Sequence, residues 1–340
     1  SHSHLRTSDS GADTDLDGIS DGRDVTRLSL YADWRRNWVL PGGLLGGAMA
    51  DFSADAYSIR QDAVYQGQTL RANGSVAVEL RWPWVRASAN GASHVIEPVV
   101  QLVWAPRDTD PVPNEDSTLV EFDEGNLFSL RRFPGADAVE RGSRANIGVS
   151  WTRYDPTGWS LGATLGRVIR PFDPGQFSVA SGLDGQKSDW LAAVQLSMAD
   201  GLLLTNRVIL DDALDFTKAE LRLDLRREKF GLGSSYVWML ADPAENRDAD
   251  LSELTLDGRY RFTDAFEGRL QSRYDFTANS AASAGVVMGF KNECLQVDVS
   301  LSRRFTSSTN VKPSTDFGLS LELLGFGGKT RPGPARPCRG

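Results

Sequence analysis

Strict alternation of apolar and polar residues near the end of the chain predicts two antiparallel β-strands. Between Cys294 and Phe305, leucine and valine alternate with glutamine, aspartate and serine. After a reversal rich in serine, threonine and proline, the alternation resumes and continues to Phe326. Successive side chains of a strand point to opposite faces, so each strand has one aliphatic face and one polar face. Both a soluble sandwich and an outer-membrane barrel are built from such strands.

The same alternation recurs along the whole chain from residue 25 and predicts about fifteen strands. Strand 266–277 has a particularly regular pattern, in which aromatic and aliphatic residues alternate with charged ones. The other strands are predicted at 25–40, in a segment ending near residue 57, and at 74–87, 93–106, 143–155, 158–170, 187–199, 202–211, 215–229, 232–242, 251–262 and 283–290, before the two closing strands. No window of comparable length has the periodicity of an amphipathic helix.

The links between these strands alternate between short and long. The short links are 41–43, 88–92, 155–158, 199–201, 228–231, 263–265 and 291–293. The longer links are 60–73, 107–142, 171–186, 242–250, 278–282 and 306–313, with 211–215 as a weak member. Bacterial outer-membrane barrels have short periplasmic turns and longer external loops. The predicted fold class is therefore an all-β, transmembrane, antiparallel up-and-down barrel.

The strand count predicts that the chain is the carboxy-terminal part of a larger barrel. If the last strand descends to the periplasm, strand 25–40 descends too, and an ascending partner should precede it. Single-chain bacterial barrels close with an even number of strands. Residues 1–11 are polar, so we expect no signal peptide in them.

Composition narrows the function class. The 340 residues are 40% apolar, with a mean hydropathy of −0.32, and contain no apolar run near the roughly 18 to 20 residues of a membrane helix. The net charge of −8 argues against a nucleic-acid partner. His2, His4 and His94 are isolated in sequence, and no Ser–His–acid spacing indicates catalysis. We therefore expect a protein that is not an enzyme.

The segment 114–142 contains a set of polar, aromatic and glycine residues, namely Asn114, Asp116, Ser117, Phe122, Asp123, Phe128, Phe133, Gly135, Glu140 and Gly142. This set resembles the hallmark region of the LptD family of outer-membrane lipopolysaccharide (LPS) assembly proteins, in its alphaproteobacterial form. Two further segments agree with it, 81–83 together with 94–98, and the closing region from Cys294 to Gly318.

The resemblance implies a barrel of about 26 strands that follows a periplasmic jellyroll and is plugged by an LptE-type lipoprotein. It implies that LPS arrives by a periplasmic Lpt bridge, through the jellyroll, and leaves through a lateral opening between the first and last strands. Residues 1–24 are then an acidic external loop, residues 25–326 the barrel portion, and residues 327–340 a flexible periplasmic tail. The jellyroll and the first strands are absent from this sequence.

The same resemblance assigns a role to the last strand and a location to the protein. The strand would be one lip of the lateral gate, where the residues of interest are Asp316, Phe317, Gly318, Leu319 and Leu321. The expected location is the outer membrane of a Gram-negative cell.

The two cysteines leave two hypotheses open. The family carries disulfide-bonded cysteines where Cys294 stands, but their amino-terminal partners are absent here. Cys294 is therefore either paired with Cys338, which lies in a Gly/Pro/Arg-rich tail, or a free thiol.

The acidic start of the chain predicts either a calcium site or an unliganded external loop. Its spacing is D-x-D-x-D-G-x-x-D-x-x-D, formed by Asp13, Asp15, Asp17, Asp21 and Asp24 with Gly18. Calcium prefers six to eight hard oxygen ligands, and a glycine permits the sharp turn of such loops. No other cofactor is expected.

Two other function classes remain as alternatives. The first is a passive, porin-like outer-membrane channel, which would have the same strands and the same alternation of links. The second is a soluble or surface-anchored calcium-binding β-protein, which would have the acidic segment but no reason for that alternation. The segment 114–142 favours LPS assembly over both.

Overall fold

The computed structural model describes residues 2–5, 21–62, 64–65, 67–115, 117, 120–245, 247–305 and 312–324. Its regular structure is β-strand, apart from three single-turn 3-10 segments at Pro41–Gly43, Val179–Ser181 and Pro243–Glu245. Among the described residues, no helix has the length and apolar character to cross a membrane. The prediction of an all-β, antiparallel up-and-down architecture is confirmed.

The strands, in chain order, are β1 His2–His4, β2 Asp24–Val39, β3 Leu45–Arg60, β4 Gly67–Arg81, β5 Trp84–Ala87, β6 Ser93–Trp104, β7 Arg144–Tyr154, β8 Ser160–Ile169, β9 Trp190–Ser197, β10 Leu202–Leu210, β11 Phe216–Arg226, β12 Phe230–Met239, β13 Leu251–Arg261, β14 Phe266–Asp275, β15 Ser280–Lys291, β16 Leu295–Arg304 and β17 Ser314–Leu323. Their bounds agree with most of the predicted strands to within a few residues.

Two predicted loops are partly strand. The short β1 pairs antiparallel with the start of β2, with Ser3 opposite Thr26, so residues 2–4 of the predicted loop 1–24 are strand. β4 begins at Gly67, so the predicted bounds 60–73 of the next long link are wrong. In β4 the polar Gln68, Thr69 and Asn73 hid the alternation, because they occupy positions on both faces of the strand.

The chain divides into two compact units. Unit 1 comprises residues 1–153, 163–193 and 209–217, and unit 2 comprises residues 154–162, 194–208 and 218–340. In unit 1, β2, β3 and β4 form an unbroken antiparallel ladder, in which β2 and β3 are each 16 residues long. In unit 2, consecutive strands from β11 to β17 pair antiparallel.

A proline interrupts one strand of unit 1 without shifting its register. Arg81 at the end of β4 lies opposite Val99 of β6, and Trp84 at the start of β5 lies opposite Ile96. Between them, the backbone N–H of Trp82 still donates to the carbonyl of Pro98 at 3.1 Å. The two segments therefore form one crossing of the sheet with a gap at Pro83.

In unit 1, apolar side chains are exposed and polar side chains are buried, which is the reverse of the pattern in a soluble sheet. Leu70 is 74% exposed, whereas its neighbour Arg71, on the other face, is 2% exposed. Phe52 is likewise 45% exposed beside the 1% exposed Asp55 of the same strand. An exposed apolar face opposite a covered polar face is typical of strands whose apolar side contacts lipid. The soluble-protein alternative does not explain this distribution.

Loops cover the polar face of unit 1. The largest apolar cluster consists of Phe122, Leu127, Val168, Phe177, Leu183, Leu191 and Ile209. Phe122 and Leu127 belong to the link between β6 and β7, and Phe177 and Leu183 belong to the link between β8 and β9. The core of unit 1 is therefore formed by two loops packed against the sheet.

Candidate functional site

The candidate site is the junction between the polar face of unit 1 and the link 105–143, which we call the signature loop. Local hydrogen bonds shape this loop. The Ser117 N–H donates to the Asn114 side chain at 2.9 Å, and the Ser117 hydroxyl donates to Asp137 at 2.5 Å. The Gly135 N–H donates to the Ser117 hydroxyl at 3.1 Å. These bonds hold the two arms of the loop together.

A second turn in the signature loop presents a leucine to the sheet. Asp123 and Asn126 bond to each other twice, each backbone N–H donating to the other's side-chain oxygen, at 3.0 and 2.8 Å. The next residue, Leu127, is fully buried. It lies against Gly148 of β7 and Gly166 of β8, where an added Cβ would meet the Leu127 side chain. We call this contact the glycine pit.

An aromatic contact joins the signature loop to the link between β8 and β9. Phe133 stacks on Phe177 with ring centroids 5.4 Å apart and planes inclined by 12°. Gly142 adopts a φ of +79°, and a Cβ there would lie 2.7 Å from the Phe172 ring. Only glycine fits this left-handed conformation so close to an aromatic ring without strain.

The centre of the junction is a buried cluster of charges around Glu140. Its carboxylate pairs with Arg132 at 2.6 Å, with Arg170 at 2.9 Å and with Arg144 at 3.4 Å, and all four side chains are at most 2% exposed. Burial alone would raise the pKa of Glu140, but the three guanidinium groups outweigh it and lower the pKa to about 2. Glu140 is therefore a carboxylate at any physiological pH.

The Glu140 cluster connects the signature loop to β7 and to the link between β8 and β9. Arg132 also donates to the Leu127 carbonyl at 2.6 Å and to Asn146 of β7 at 3.1 Å. Arg170 donates to the Leu183 carbonyl at 2.9 Å. A buried charge is tolerated when an opposite charge and further hydrogen bonds compensate its desolvation. The cluster thus fixes both loops against the sheet.

A second buried arginine, Arg71 of β4, extends from the sheet into the loop. It donates to the backbone carbonyls of Ala136 at 2.8 Å and Asp137 at 2.6 Å. It also contacts Asp55 at 3.2 Å and the hydroxyl of Tyr57 at 3.0 Å, both on β3. The carboxylate of Asp55 therefore supplies the counter-charge for a guanidinium that holds the loop backbone.

A chain of side-chain amides crosses the polar face below the loop. Asn146 donates to Gln101 of β6 at 2.6 Å, and Gln101 donates to Glu79 of β4 at 3.1 Å and to the Phe128 carbonyl at 2.9 Å. Gln101 and Asn146 are fully buried. The side-chain amides of Gln101 and Asn146 are thus satisfied by each other, by neighbouring charged side chains and by the loop backbone.

The structure brings together most of the predicted signature residues and leaves other predicted sites apart. Asp116 lies outside the described residues, as do Asp13, Asp15, Asp17 and Cys338. Within the described part of the chain, no group of acidic, histidine or cysteine side chains could hold a metal ion, so calcium binding stays a prediction. Cys294 is disulfide-bonded, which contradicts the free-thiol hypothesis. The pairing of Cys294 with Cys338 stays a prediction.

The predicted gate residues lie on β17 of unit 2. Phe317, Leu319 and Leu321 face Leu301, Val299 and Val297 of β16 and are 79%, 74% and 61% exposed. Asp316 and Gly318 lie on the opposite, polar face. No described contact assigns the strand a function, so the gate stays a proposal.

Sequence analysis missed the residues outside the resembling segment that hold the signature loop, namely Asp55, Arg71, Gln101, Arg144, Asn146, Gly148, Gly166 and Arg170. One signal was available for some of them, because a polar residue at a face position within a strand must find a partner when it is covered. Nothing in the sequence indicated which loop would cover which strand.

The polar face of unit 2 carries an open cavity of ≈ 770 Å³. Its lining includes Arg222, Asp224, Arg226, Gly231, Gly233, Asp257, Arg259 and Arg269 from strands β11 to β14. Several of these charges are paired. Arg222 contacts Asp224 at 2.7 Å, and Arg269 contacts Asp298 at 2.6 Å. This wall is charged and hydrated, as expected of the interior of a wide barrel.

Comparisons with known proteins identify the family to which this chain belongs. The profile of the family described as LptD, LPS transport system D, matches residues 3–266. The chain is 21% identical over 264 residues to the LPS-assembly protein LptD of Vibrio cholerae, covering 69% of this chain and 34% of that protein. It is 32% identical over 91 residues to the LPS-assembly protein LptD of Aeromonas salmonicida, covering 26% and 11%.

The comparison with solved structures matches the ferric enterobactin receptor PfeA in complex with BCV-L6. It is 10% identical, with a TM-score of 0.45, and the match covers 92% of this chain and 57% of the receptor. Against its sequence relatives, the chain spans about a third of their length or less.

Proposed function

This chain belongs to the LptD family, and from that membership we propose that it is the carboxy-terminal part of a translocon that carries LPS across the outer membrane and inserts it into the outer leaflet. Family membership places it in the outer membrane of a Gram-negative cell. The proposed activity is transport and not catalysis.

The observation that carries the proposal is the docking of the signature loop on the polar face of a family-matched sheet. Glu140, Arg132 and Phe133 of this loop take part in the buried contacts that seat it. A passive channel needs an open polar interior, whereas here two loops cover the polar face of unit 1. This favours a protein that controls passage over a porin.

The proposal is tested by depleting the native full-length protein in its own cell. Newly made LPS should stop reaching the surface, as measured by its modification with an externally added enzyme, and should return when the full-length gene is supplied. Small-solute uptake serves as the second measurement. If LPS still reached the surface and only solute uptake fell, the channel alternative would replace the proposal.

Within this function, β17 would form one lip of a lateral opening. Unpaired backbone groups facing hydrocarbon cost several kcal/mol each, so the seam would stay paired and open only transiently. A cysteine crosslink from position 319 or 321 to the first strand of the full-length protein should stop LPS export and leave barrel assembly intact. Normal export through the crosslinked protein would place the opening elsewhere.

The family also implies partners for the complete protein. An LptE-type lipoprotein would occupy the hydrated interior, and the periplasmic Lpt bridge would deliver LPS to a domain that precedes this segment. Copurification of the full-length protein with a tagged lipoprotein partner would test the first of these, and loss of that partner under mild detergent would contradict it.

A further inference from the structure

Charged side chains on the polar face of unit 2 are arranged in rows that run across the strands. One row is basic, with Arg226 of β11, Arg259 of β13 and Arg269 of β14 in register. The next row along the strands is acidic, with Asp224 of β11 and Asp257 of β13. Two adjacent rows of opposite sign thus face the cavity.

Two arginines of the basic row, Arg226 and Arg259, form no direct ion pair, although Arg226 interacts electrostatically with Asp224, two residues away on the same face of β11. Arg269 is neutralised by Asp298 at 2.6 Å and lies 3.8 Å from Glu267. Arg226 and Arg259 are exposed, and neither has an ion-pair partner among the described residues. Arg259 also lies directly opposite Arg269, a like-charge pairing that destabilises a sheet by itself. An anion bound in this row would relieve that repulsion.

Glycines open a gap between the two unpaired arginines. Arg226 lies opposite Gly231 of β12, and Gly231 lies opposite Arg259. A Cβ at Gly231 would lie 3.4 Å from the Arg259 Nε. In the acidic row, Gly233 holds the same position between Asp224 and Asp257. Glycine inside a strand weakens it and often marks a place where a ligand approaches the backbone.

We propose that Arg226 and Arg259, on either side of Gly231, bind a phosphate group of a phosphorylated saccharide. β11 and β13 are separated by two ladder spacings, about 10 Å, which lets both guanidinium groups reach one phosphate. Guanidinium groups bind phosphate with paired, charge-assisted hydrogen bonds. Asp224 and Asp257 accept hydrogen bonds from the sugar hydroxyls in the adjacent row. The inference rests on the proposed function and gives it a binding site for the saccharide part of LPS.

The test compares two probes on the purified full-length protein. The first probe is short-chain LPS that carries its phosphates, and the second is the same preparation after phosphatase treatment. The wild type should bind the phosphorylated probe more tightly. The double variant Arg226→Gln, Arg259→Gln should lose about tenfold or more in affinity for that probe and keep its affinity for the dephosphorylated one. Gly231→Val, which fills the gap without changing the charge, should act in the same direction.

The matched control is Arg273→Gln. Arg273 lies on the same polar face of β14 as Arg269, but in another row, 3.7 Å from Glu253. The substitution Arg273→Gln removes one positive charge and should leave the affinities for the phosphorylated and the dephosphorylated probe unchanged. An equal loss in the control would mean that the wall attracts anions in general and would overturn the assignment. Folding of each variant is checked by its heat-dependent gel mobility.

The outcomes separate this site from the proposed function. If cells export LPS and the double variant binds both probes like the wild type, the phosphate site is wrong and the transport function stands. If inorganic phosphate displaces the phosphorylated probe and binds as tightly as that probe does, the site is one for free phosphate and the saccharide assignment is wrong. If the wild type binds neither probe and depletion leaves LPS at the surface, both proposals fail.

Discussion

Arg71 of β4 donates to the backbone carbonyl of Asp137 at 2.6 Å, across 66 positions of sequence. Its other donors contact the carboxylate of Asp55 and the hydroxyl of Tyr57. Arg71 thus holds a loop that is distant in sequence by donating hydrogen bonds to the main chain of that loop. The sequence of the loop near residue 137 can vary at this contact, but its backbone path cannot.

Replacing Arg71 by methionine should release the signature loop from the sheet. The substitution removes the donors to the loop carbonyls and leaves the buried Asp55 carboxylate without its counter-charge, a loss of about 3–5 kcal/mol. The measurement is the rate at which an external protease cleaves the loop in the assembled full-length protein.

The matched variant for this prediction is the double substitution Arg71→Met, Asp55→Leu. It removes the buried carboxylate together with its partner and should recover part of the lost stability. Cleavage of Arg71→Met at the wild-type rate would contradict the anchoring role.

Loop docking should weaken in acid in a way that depends on Glu140. The folded-state pKa of Glu140 is about 2, below its ordinary value of 4.5. A depressed folded-state pKa contributes stability that is complete above the unfolded value and is lost as the pH falls through the folded value. The free energy of unfolding should therefore fall between about pH 4.5 and pH 2 in the wild type. In Glu140→Gln this part of the decline should be missing.

Glu121→Gln is the control for the acid measurement, because Glu121 is an exposed carboxylate of the same loop. Urea unfolding in detergent at a series of pH values gives the free energies for all three proteins. The role of Glu140 would be refuted by a Glu140→Gln variant that follows the wild-type pH profile.

Filling the glycine pit should destabilise the loop by overpacking. In Gly166→Ala the new methyl group would overlap Leu127 and lie 2.7 Å from the Ile147 carbonyl, at a cost of about 1–3 kcal/mol. Shortening the leucine removes the overlap, so Leu127→Ala combined with Gly166→Ala should be more stable than the sum of the single effects predicts. A double-mutant cycle on unfolding free energies measures this coupling, and strict additivity would show that the two residues do not press on each other.

Topology can be tested with single cysteines in the full-length protein on intact cells. Val179 and Ala249 lie in longer links and are exposed, whereas Thr157 and Asp264 lie in short turns and are also exposed. An impermeant thiol reagent should label cysteines at the first two positions and not at the last two. Ala180, one residue from Val179, is buried and should label poorly, which makes it the matched control. The reverse pattern would invert the assignment of outside and inside.

The strands were predictable because successive side chains of a strand point to opposite faces, which produces the alternation of apolar and polar residues. The alternation in β14 assigns Phe266 and Leu270 to one face and Arg269 to the other, and the observed register agrees. Residue types alone did not reveal β1, since His2–His4 has no apolar alternation and is held by pairing with β2. Tertiary context overrides local pattern in such a segment.

The site was predictable only in part. The resemblance identified Glu140 and Phe133 as residues of interest. It did not identify Arg144 and Arg170, the ion-pair partners of Glu140, which lie on or beside strands outside the loop. Which arginine reaches Glu140 depends on the distance between loop and sheet, and no local pattern encodes that distance. The same holds for Leu127, whose pit is made by Gly148 and Gly166, two glycines within the predicted strands 143–155 and 158–170 that no local pattern connects to the loop.

The break at Pro83 has a consequence for the edge of the sheet. β3 pairs with β4 only as far as Arg81, so the segment beyond it has a free hydrogen-bonding edge on that side. Such an edge is a template for adding a strand from another chain. A proline there offers no N–H and limits the free segment to the four residues of β5. Pro83 therefore limits the length of sheet edge with which a strand of another chain could pair.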